Sequence, residues 1–316
     1  MDVPELPPVA RIVAITGPTG SGKSDLALAL AEEFHGEVIN CDSLQVYRHF
    51  NLGTAKLSLP ERRGIPHHLI DIVDPDELFT AGEYARRARV VLEEISSREK
   101  LPIVAGGTGF YLRALLDGLF AGPERDAALR ERLVSRERRR TGSLHRILRR
   151  LDPAAARNIH PNDVPKLTRA LEVCLLTQRR VSELFRAGRD ALRGYHILKI
   201  GLDPSRDSLY ARLDERCRRM FESGLVEEVK HILALGFSAE AKPFESHGYK
   251  QALQLLRGEL TLKEAIFYAQ RNTRRYAKRQ MTWFRQERGM AWLKGFGEEP
   301  GIRASARELV REYLTN

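Results

Sequence analysis

The stretch RIVAITGPTGSGKS, residues 11–24, decides the fold of this chain. Its first six residues have the pattern of a short buried strand, and a helical pattern, Asp25 to Phe34, follows the loop. The segment between them satisfies G-x-x-x-x-G-K-[ST] in the strand, loop, helix context that phosphate binding requires. We therefore predict that phosphate is bound by residues Gly17, Pro18, Thr19, Gly20, Ser21, Gly22, Lys23 and Ser24.

Each residue type in this loop suits phosphate binding for a chemical reason. Its glycines let backbone N–H groups turn toward phosphate oxygens, and the helix N-terminus adds partial positive charge. Lys23 neutralises the anion, and the Ser24 hydroxyl is predicted to ligate Mg²⁺, the expected cofactor. The apolar strand Pro102–Ala105 ends in Gly106-Gly-Thr-Gly109, without the acid that holds the metal of a nucleotide triphosphatase. ATP hydrolysis is therefore disfavoured relative to binding of another diphosphate.

Outward from the loop, short apolar runs alternate with helical patterns. The other strand candidates are Glu37–Cys41, His68–Val73, Pro102–Ala105 and His196–Leu202, and Ala81–Ser96 is one of the helical patterns between them. This alternation predicts an α/β fold, with a P-loop-type parallel sheet core flanked by helices. Helical patterns also follow the last strand candidate, over 205–224, 225–235 and 261–288.

Residues 124–194 interrupt this rhythm. They show helical periodicity without a convincing strand, and they carry 18 Arg or Lys against 9 Asp or Glu. We predict an inserted all-helical lobe over 124–194, with the catalytic core formed by 1–123 and 195–316. The whole chain has 52 Lys+Arg against 42 Asp+Glu, a net charge of +10, which suits a partner that is a polyanion such as nucleic acid.

The three cysteines are isolated from one another along the chain. Cys41, Cys174 and Cys217 form no C-x-x-C pair, so neither a disulfide framework nor a zinc site is indicated, and a reducing cytoplasm is expected. No apolar run approaches the roughly 20 residues that span a bilayer, so we expect no membrane association. A monomer is the expected oligomeric state.

Two charged residues occupy positions that suggest ligand chemistry. Asp42 follows the second predicted strand, at the edge where open parallel sheets bind ligands, although capping of a following helix is an equal alternative. In the helix predicted over 205–221, Arg216 lies inside the apolar face that also contains Leu209, Leu213, Cys217 and Met220. An inward arginine requires an anion, which is either an acidic side chain or a ligand phosphate.

The last long helical pattern carries a basic stripe. Its members are Arg271, Arg274, Lys278 and Arg285. Such a stripe is usually solvated, but together with the basic lobe it would suit a groove for a nucleic-acid backbone.

Seven strings of this sequence resemble one family. They are GPTGSGKSDLALALA, CDSLQVYRHFNLGTAK, PHHLIDIVDP, VAGGTGFYLRALLDGL, IHPNDVPKLTRALEV, HGYKQAL and YAKRQMTWFR. In this order, and across nearly the whole chain, they resemble the bacterial tRNA dimethylallyltransferases of the tRNA isopentenyltransferase family. The resemblance implies transfer of a dimethylallyl group from dimethylallyl diphosphate to N6 of the adenine next to the anticodon, with the lobe gripping the anticodon stem-loop.

The resemblance also implies roles for individual residues. Asp42 would be the base, Thr108 would place the adenine amine, and Arg216 would grip the diphosphate. Contacts with tRNA are implied for Asp42, Ser43, Leu44, Gln45, Thr108, Arg130, Lys166, Leu167, Thr168, Arg169, Ala170, His247, Gly248, Tyr249 and Lys250. Pro165 and His247 depart from the residues that the family often has at these positions.

Three other functions share part of this pattern. An isopentenyltransferase acting on free adenine nucleotides would use the same loop and Asp42 but would not need a basic helical lobe. A P-loop small-molecule kinase would need an acid at the end of a strand. A non-catalytic RNA-binding module would have no use for Lys23, Asp42 and an inward Arg216.

Overall fold

A single parallel sheet organises the larger part of the molecule. The computed structural model describes residues 10–186 and 188–315. Its strands are β1 (Ala10–Thr16), β2 (Gly36–Asn40), β3 (His67–His68), β4 (Leu101–Ala105), β5 (Tyr195–Leu202) and β6 (Met290–Leu293). They are ordered β3-β2-β4-β1-β5-β6, and every pairing is parallel. Because β1 lies between β4 and β5, the loop after β1 opens near the middle of the sheet's carboxyl edge.

Helices connect these strands and flank the sheet, which confirms the predicted α/β, P-loop-type core. They are α1 (Lys23–Glu33), α2 (Ala81–Ser97), α3 (Gly109–Leu116), α4 (Ala127–Arg139), α5 (Ser143–Leu151), α6 (Pro153–Asn158), α7 (Val164–Thr177), α8 (Val181–Arg186), α9 (Arg206–Glu222), α10 (Leu225–Ala234), α11 (Tyr249–Leu256), α12 (Leu262–Phe284) and α13 (Pro300–Thr315). Within the described ranges, no helix combines the length and apolar character needed to cross a membrane.

The sheet packs against helices through alternating apolar positions. Val13 and Ile15 on β1 point to the same face of the strand and pack with Leu26 and Leu30 on α1, which are one helical turn apart. Val310 on α13 joins the same core cluster. This packing fixes the strand and the helix on either side of the phosphate loop.

The predicted strand over His68–Val73 is largely wrong. Only His67 and His68 pair with β2, and Val73 makes an isolated bridge with Tyr47. Leu69 and Asp71 have φ angles of 59° and 55°, in the left-handed region, which turns the chain away from the extended conformation. The edge strand β6 was missed because its four residues are all only partly buried and lack an alternating pattern.

The second compact unit is Leu116–Leu192 and contains α4 to α8. Its own apolar core includes Leu144 and Leu148 of α5 and Leu167 and Leu171 of α7. The unit begins before the predicted boundary at 124 and ends slightly before 194. The reason is that its two ends bond to each other: Leu192 N donates to Leu116 O over 2.9 Å, so the segment from 116 onward belongs to the helical unit.

Candidate active site

The phosphate loop has the backbone shape that its glycines were predicted to provide. Gly20 and Gly22 have φ angles of 78° and 81°, which residues with a Cβ rarely adopt. A Cβ on Gly20 would also lie 2.7 Å from the Leu213 side chain, so α9 packs directly on the loop. Helix α1 begins at Lys23, and its N-cap Gly22 offers no side chain to cap the first turn. The first amides of α1 are therefore left to an external anion.

Lys23 is the cation of this loop. Its Nζ donates to the Pro18 carbonyl oxygen over 2.8 Å. Burial, the largest effect, lowers the pKa of Lys23 to about 8, with Arg216 adding to the decrease and Asp42 opposing it. A phosphate in the loop would favour the charged form and reverse part of this shift.

Gln280 ties the phosphate loop to a second glycine-rich loop. Its buried side chain accepts a hydrogen bond from Thr19 N over 2.7 Å and donates to Gly107 O over 2.8 Å. We did not identify this residue from the sequence. The available signal was a glutamine beside Ala277 and Phe284, on the face of α12 that the structure buries.

Asp42 begins a tight turn rather than a helix. Its amide donates to Asn40 Oδ1 over 3.0 Å, and its own Oδ1 accepts from Leu44 N over 2.9 Å. The residues that follow form turns, so the alternative in which Asp42 caps a helix is wrong. These two hydrogen bonds fix the carboxylate at the carboxyl end of β2.

Thr108 is held close to the same turn. Its Oγ1 accepts from Ser43 N over 3.0 Å, and its amide donates to Cys41 O over 3.1 Å. The loops after β2 and β4 are adjacent because the two strands pair directly. The structure thus places Thr108 beside the turn that carries Asp42.

Arg216 lies on the inward side of α9, whose residues Leu213 and Cys217 are buried. Across the described chain it makes no ion pair with any acidic side chain, so the salt-bridge alternative is not supported. Burial, the largest effect, lowers the pKa of Arg216, which Cys217 and Asp42 oppose. An inward cation without an acidic partner is suited to an anionic ligand.

Two cavities meet at these residues. One, of about 270 Å³, is lined by the phosphate loop, including Gly20, Lys23 and Ser24. The other, of about 450 Å³, is lined largely by apolar and aromatic side chains such as Tyr47, Phe221 and Tyr276. The residues that line both cavities are Thr19, Asp42, Thr54 and Arg216. A carboxylate and a guanidinium therefore stand where a phosphate ligand would meet an apolar or aromatic one.

Apart from Asp42, the predicted RNA-contacting residues of the core lie in four kinds of place. The larger cavity is lined by Ser43, Leu44, Thr108, His247 and Gly248. Gln45 lines the phosphate cavity, where its Nε2 donates to Thr54 O over 3.1 Å, and Lys250 is exposed. Tyr249 is fully buried, and its hydroxyl donates to Glu228 and accepts from Gly53 N over 3.1 Å. The Tyr249 side chain therefore holds the loop at Gly53, and a contact of this residue with RNA stays a prediction.

The His247 ring forms part of the wall of the larger cavity. Its centroid lies 5.5 Å from that of Tyr276. Burial, followed by the charges of Arg279 and Lys250, lowers the pKa of His247. These effects favour the neutral imidazole, which can both donate and accept a hydrogen bond.

The helical unit presents only part of its predicted contact set. The side chains of Leu167, Thr168 and Ala170 are buried in its core, so they pack the unit rather than face a partner. Lys166 is exposed and pairs with Asp163 over 2.6 Å. Arg130 and Arg169 both pair with the fully buried Glu172, over 3.0 and 2.6 Å.

The acidic residues of this unit are used for internal hydrogen bonds. Asp126, Asp152 and Asp163 accept from the first turns of α4, α6 and α7. Glu137 accepts from the amide of Leu144 over 2.9 Å. Although burial alone raises the pKa of Glu172, its hydrogen bonds with Arg169 and the Asp126 amide bring it below the ordinary value. These inward carboxylates leave much of the unit's arginine charge at its surface without a balancing acid.

The basic stripe on α12 is partly neutralised. Arg274 pairs with Asp214, and Arg285 pairs with Asp203 over 3.3 Å. Lys278 is exposed. This stripe therefore contributes less free charge than its sequence suggests.

The residues near Ser24 fit a magnesium ion that is held mainly by phosphate oxygens. No cluster of three or more His, Cys, Asp or Glu side chains with metal-binding geometry occurs in 10–186 and 188–315. Ser24 and Asp42 nevertheless line the same small cavity and offer hard oxygen donors. Mg²⁺ accepts such sparse protein ligation when phosphates and water complete its shell.

Family matching and sequence similarity point to the same family of proteins. The sequence matches the IPP transferase family over residues 45–287. It is 72% identical over 303 residues to a tRNA dimethylallyltransferase of Solibacter usitatus, covering 96% of this chain and 99% of that protein. It is 55% identical over 301 residues to a tRNA dimethylallyltransferase of Koribacter versatilis, covering 95% and 98%.

Solved structures agree with the sequence comparison. The fold is similar to that of a tRNA isopentenylpyrophosphate transferase from Bacillus halodurans, with a TM-score of 0.72 and 36% identity over 96% of this chain and 97% of that one. It is also similar to a eukaryotic dimethylallyltransferase acting on tRNA, with a TM-score of 0.85 and 30% identity over 97% of this chain and 80% of that one. The extent of these similarities, together with the phosphate loop and the paired cavities, shows that this chain belongs to the tRNA dimethylallyltransferase (IPP transferase) family.

Proposed function

We propose that this chain transfers the dimethylallyl group of dimethylallyl diphosphate to N6 of the adenine next to the anticodon in tRNA, releasing diphosphate. The observation that carries the proposal is the meeting of two cavities at Asp42 and Arg216. The smaller cavity has the amides and cations that suit a diphosphate, and the larger has the aromatic walls that suit a base and an allylic chain.

Asp42 acts as the general base in this proposal. Adenine N6 is a weak nucleophile because its lone pair is delocalised into the ring. As the new C–N bond forms, N6 loses a proton to the Asp42 carboxylate, and the C–O bond to the diphosphate breaks with its electron pair. Thr108, which is tied to Ser43 beside Asp42, orients the amine.

The phosphate loop stabilises the leaving group. Charge develops on the diphosphate as the C–O bond breaks, and Lys23, Arg216 and the first amides of α1 lie where they can stabilise it. Mg²⁺, when bound through Ser24, supplies further charge neutralisation. The apolar wall of the larger cavity limits the access of water to the allylic carbon, which water would otherwise capture.

The helical unit binds the anticodon stem-loop through phosphates. Its inward acids leave a surplus of arginine at the surface, and such charge attracts a nucleic-acid backbone without reading its sequence. The charged members of the predicted contact set in this unit are the exposed Lys166 and the partly buried Arg130 and Arg169. The adenine must leave the RNA stack to reach the cavity, at a cost of a few kcal/mol.

The cytoplasm is the proposed location. Cys41, Cys174 and Cys217 are free thiols, which persist in a reducing compartment. We expect the chain to act there as a monomer on tRNA.

The decisive experiment is incubation with labelled dimethylallyl diphosphate and bulk tRNA, followed by nucleoside analysis, with AMP as a parallel acceptor. Label in N6-modified adenosine from tRNA, with little transfer to AMP, is expected. Transfer to AMP at an equal rate would favour the enzyme of free nucleotides, and hydrolysis of ATP at the turnover rate would contradict the assignment of the loop's ligand.

A further inference from the structure

A second arginine of α9 faces the phosphate cavity. Arg212 precedes Arg216 by one helical turn, so both side chains lie on the same side of the helix. Both line the smaller cavity together with Lys23. Unlike Arg216, Arg212 has an acidic partner, because its guanidinium pairs with Glu298.

The partner acid belongs to a segment that packs on the phosphate loop. Gly297 N donates to Ser21 O over 2.9 Å, and a Cβ on Gly22 would lie 2.7 Å from Gly297 N. The Arg212 guanidinium also lies over the ring of Phe296, 4.7 Å from its centre. This segment therefore holds both the loop and the guanidinium plane of Arg212.

The Glu298 carboxylate is incompletely satisfied. One oxygen pairs with Arg212, and the other is buried without a hydrogen-bond partner in the described chain. Both side chains of this pair remain about one third exposed (36% and 35%), and an ion pair that water can reach is weak, so Arg212 can exchange Glu298 for a better anion. A diphosphate, with more charge and several oxygens in the adjoining cavity, is such an anion.

We propose that Arg212 is a further diphosphate-binding residue, and that Glu298 is a competing anion that holds its guanidinium beside the loop until diphosphate enters. The inference rests on the proposed function, since it requires a diphosphate in this cavity. On binding, Arg212 exchanges the carboxylate for phosphate oxygens while Phe296 keeps the guanidinium plane in place. No covalent bond changes in this step.

Two substitutions that each remove a charge, with opposite expected effects on diphosphate affinity, test this exchange. Binding of inorganic diphosphate with Mg²⁺ is measured by calorimetry for the full chain, Arg212→Gln, Glu298→Gln and the double variant. Arg212→Gln is expected to weaken binding about tenfold or more, as for loss of a charge-assisted hydrogen bond. Glu298→Gln is expected to tighten binding several-fold because it removes the competitor. In the double variant this gain disappears, because no cation remains to be released.

A different pattern of binding and melting results would overturn the inference. If the pair only clamps the loop, both single substitutions weaken diphosphate binding and lower the melting temperature, and the inference is overturned. Arg212→Lys retains a cation and guards against loss of folding in the glutamine variant; it is expected to keep most of the affinity. Arg218→Gln, which removes a surface arginine of α9 that pairs with Glu215 and Glu222 and lines neither cavity, is the matched control and leaves binding unchanged.

Failure of this inference can be told apart from failure of the proposed function. If the unaltered chain transfers the dimethylallyl group and binds diphosphate while Arg212→Gln binds it equally well, only the role of Arg212 is lost. If the unaltered chain neither binds diphosphate nor transfers the group, the proposed function is refuted as well.

Discussion

Replacing Asp42 with asparagine tests whether the Asp42 carboxylate takes the N6 proton. Asparagine retains the Oδ1 acceptor that bonds to Leu44 N over 2.9 Å, so the turn after β2 is preserved and the free energy of unfolding should change by less than about 1 kcal/mol. The carboxylate's capacity to take the N6 proton is lost. Loss of a general base lowers the rate about 10²–10⁴-fold, which corresponds to about 3–5 kcal/mol in the activation free energy.

A second effect of this substitution must be separated from the first. The Asp42 charge raises the pKa of Lys23, which stands at about 8, so its removal lowers that pKa further. Some Lys23 would then lose its proton near neutral pH and weaken diphosphate binding. Measurements at about pH 6.5, where Lys23 remains charged, isolate the effect on proton transfer.

The assay is single-turnover transfer from labelled dimethylallyl diphosphate to tRNA at saturating substrates, with a thermal melt of each protein. Asp207→Asn is the matched control, because Asp207 is exposed on the first turn of α9 and lines neither cavity. Near-normal transfer by a folded Asp42→Asn variant would refute the assignment of Asp42 as the base.

Three further changes probe other parts of the structure. Because the pKa of Lys23 in the free protein is about 8, its side chain is charged below this pH and neutral above it, so the affinity for magnesium diphosphate in calorimetry should fall as the pH rises from about 7 to 9. The variant Lys23→Arg, which stays charged over this range, should remove this pH dependence. Gln280→Leu leaves the buried Gly107 carbonyl unpaired at about 1–3 kcal/mol and the partly buried Thr19 amide unpaired as well, so its melting temperature should fall clearly. The exposed Gln286→Leu should melt normally, and equal melting of the two variants would contradict the bridging role. Since Leu116 O and Leu192 N are 2.9 Å apart, a short glycine linker can replace the residues between them. This variant should keep diphosphate binding in calorimetry and lose stem-loop binding in gel shifts, and full RNA affinity would show that the helical unit does not bind the RNA.

Local chemistry made the phosphate loop predictable. The positive φ angles at Gly20 and Gly22 and the start of α1 at Lys23 follow from short-range preferences that residues 11–24 carry themselves. The inward position of Arg216 was likewise predictable, because the faces of a helix follow from residue spacing. Residue spacing could not predict the partner of Arg216, because that partner depended on whether an acidic side chain from another segment reached the guanidinium.

Tertiary interactions decided the features that the sequence did not predict. Gln280 bonds to Thr19, 261 residues away, and no local pattern links the two. The left-handed Leu69 ended β3 early, although leucine has no preference for such a conformation. Tyr249 was placed among the RNA contacts by resemblance, but its burial depends on Glu228 and Gly53 from other segments.

The bridge made by Gln280 has a consequence for how the two substrates communicate. One amide group restrains both the phosphate loop and the loop that carries Thr108, so ordering of either loop reduces the freedom left to the other. A ligand that has already ordered one side lowers the entropic cost of binding on the other. Because coupling between two binding events is reciprocal, we expect diphosphate to tighten tRNA binding by the same factor by which tRNA tightens diphosphate binding. Cooperation of this kind requires no contact between the two substrates before the reaction begins.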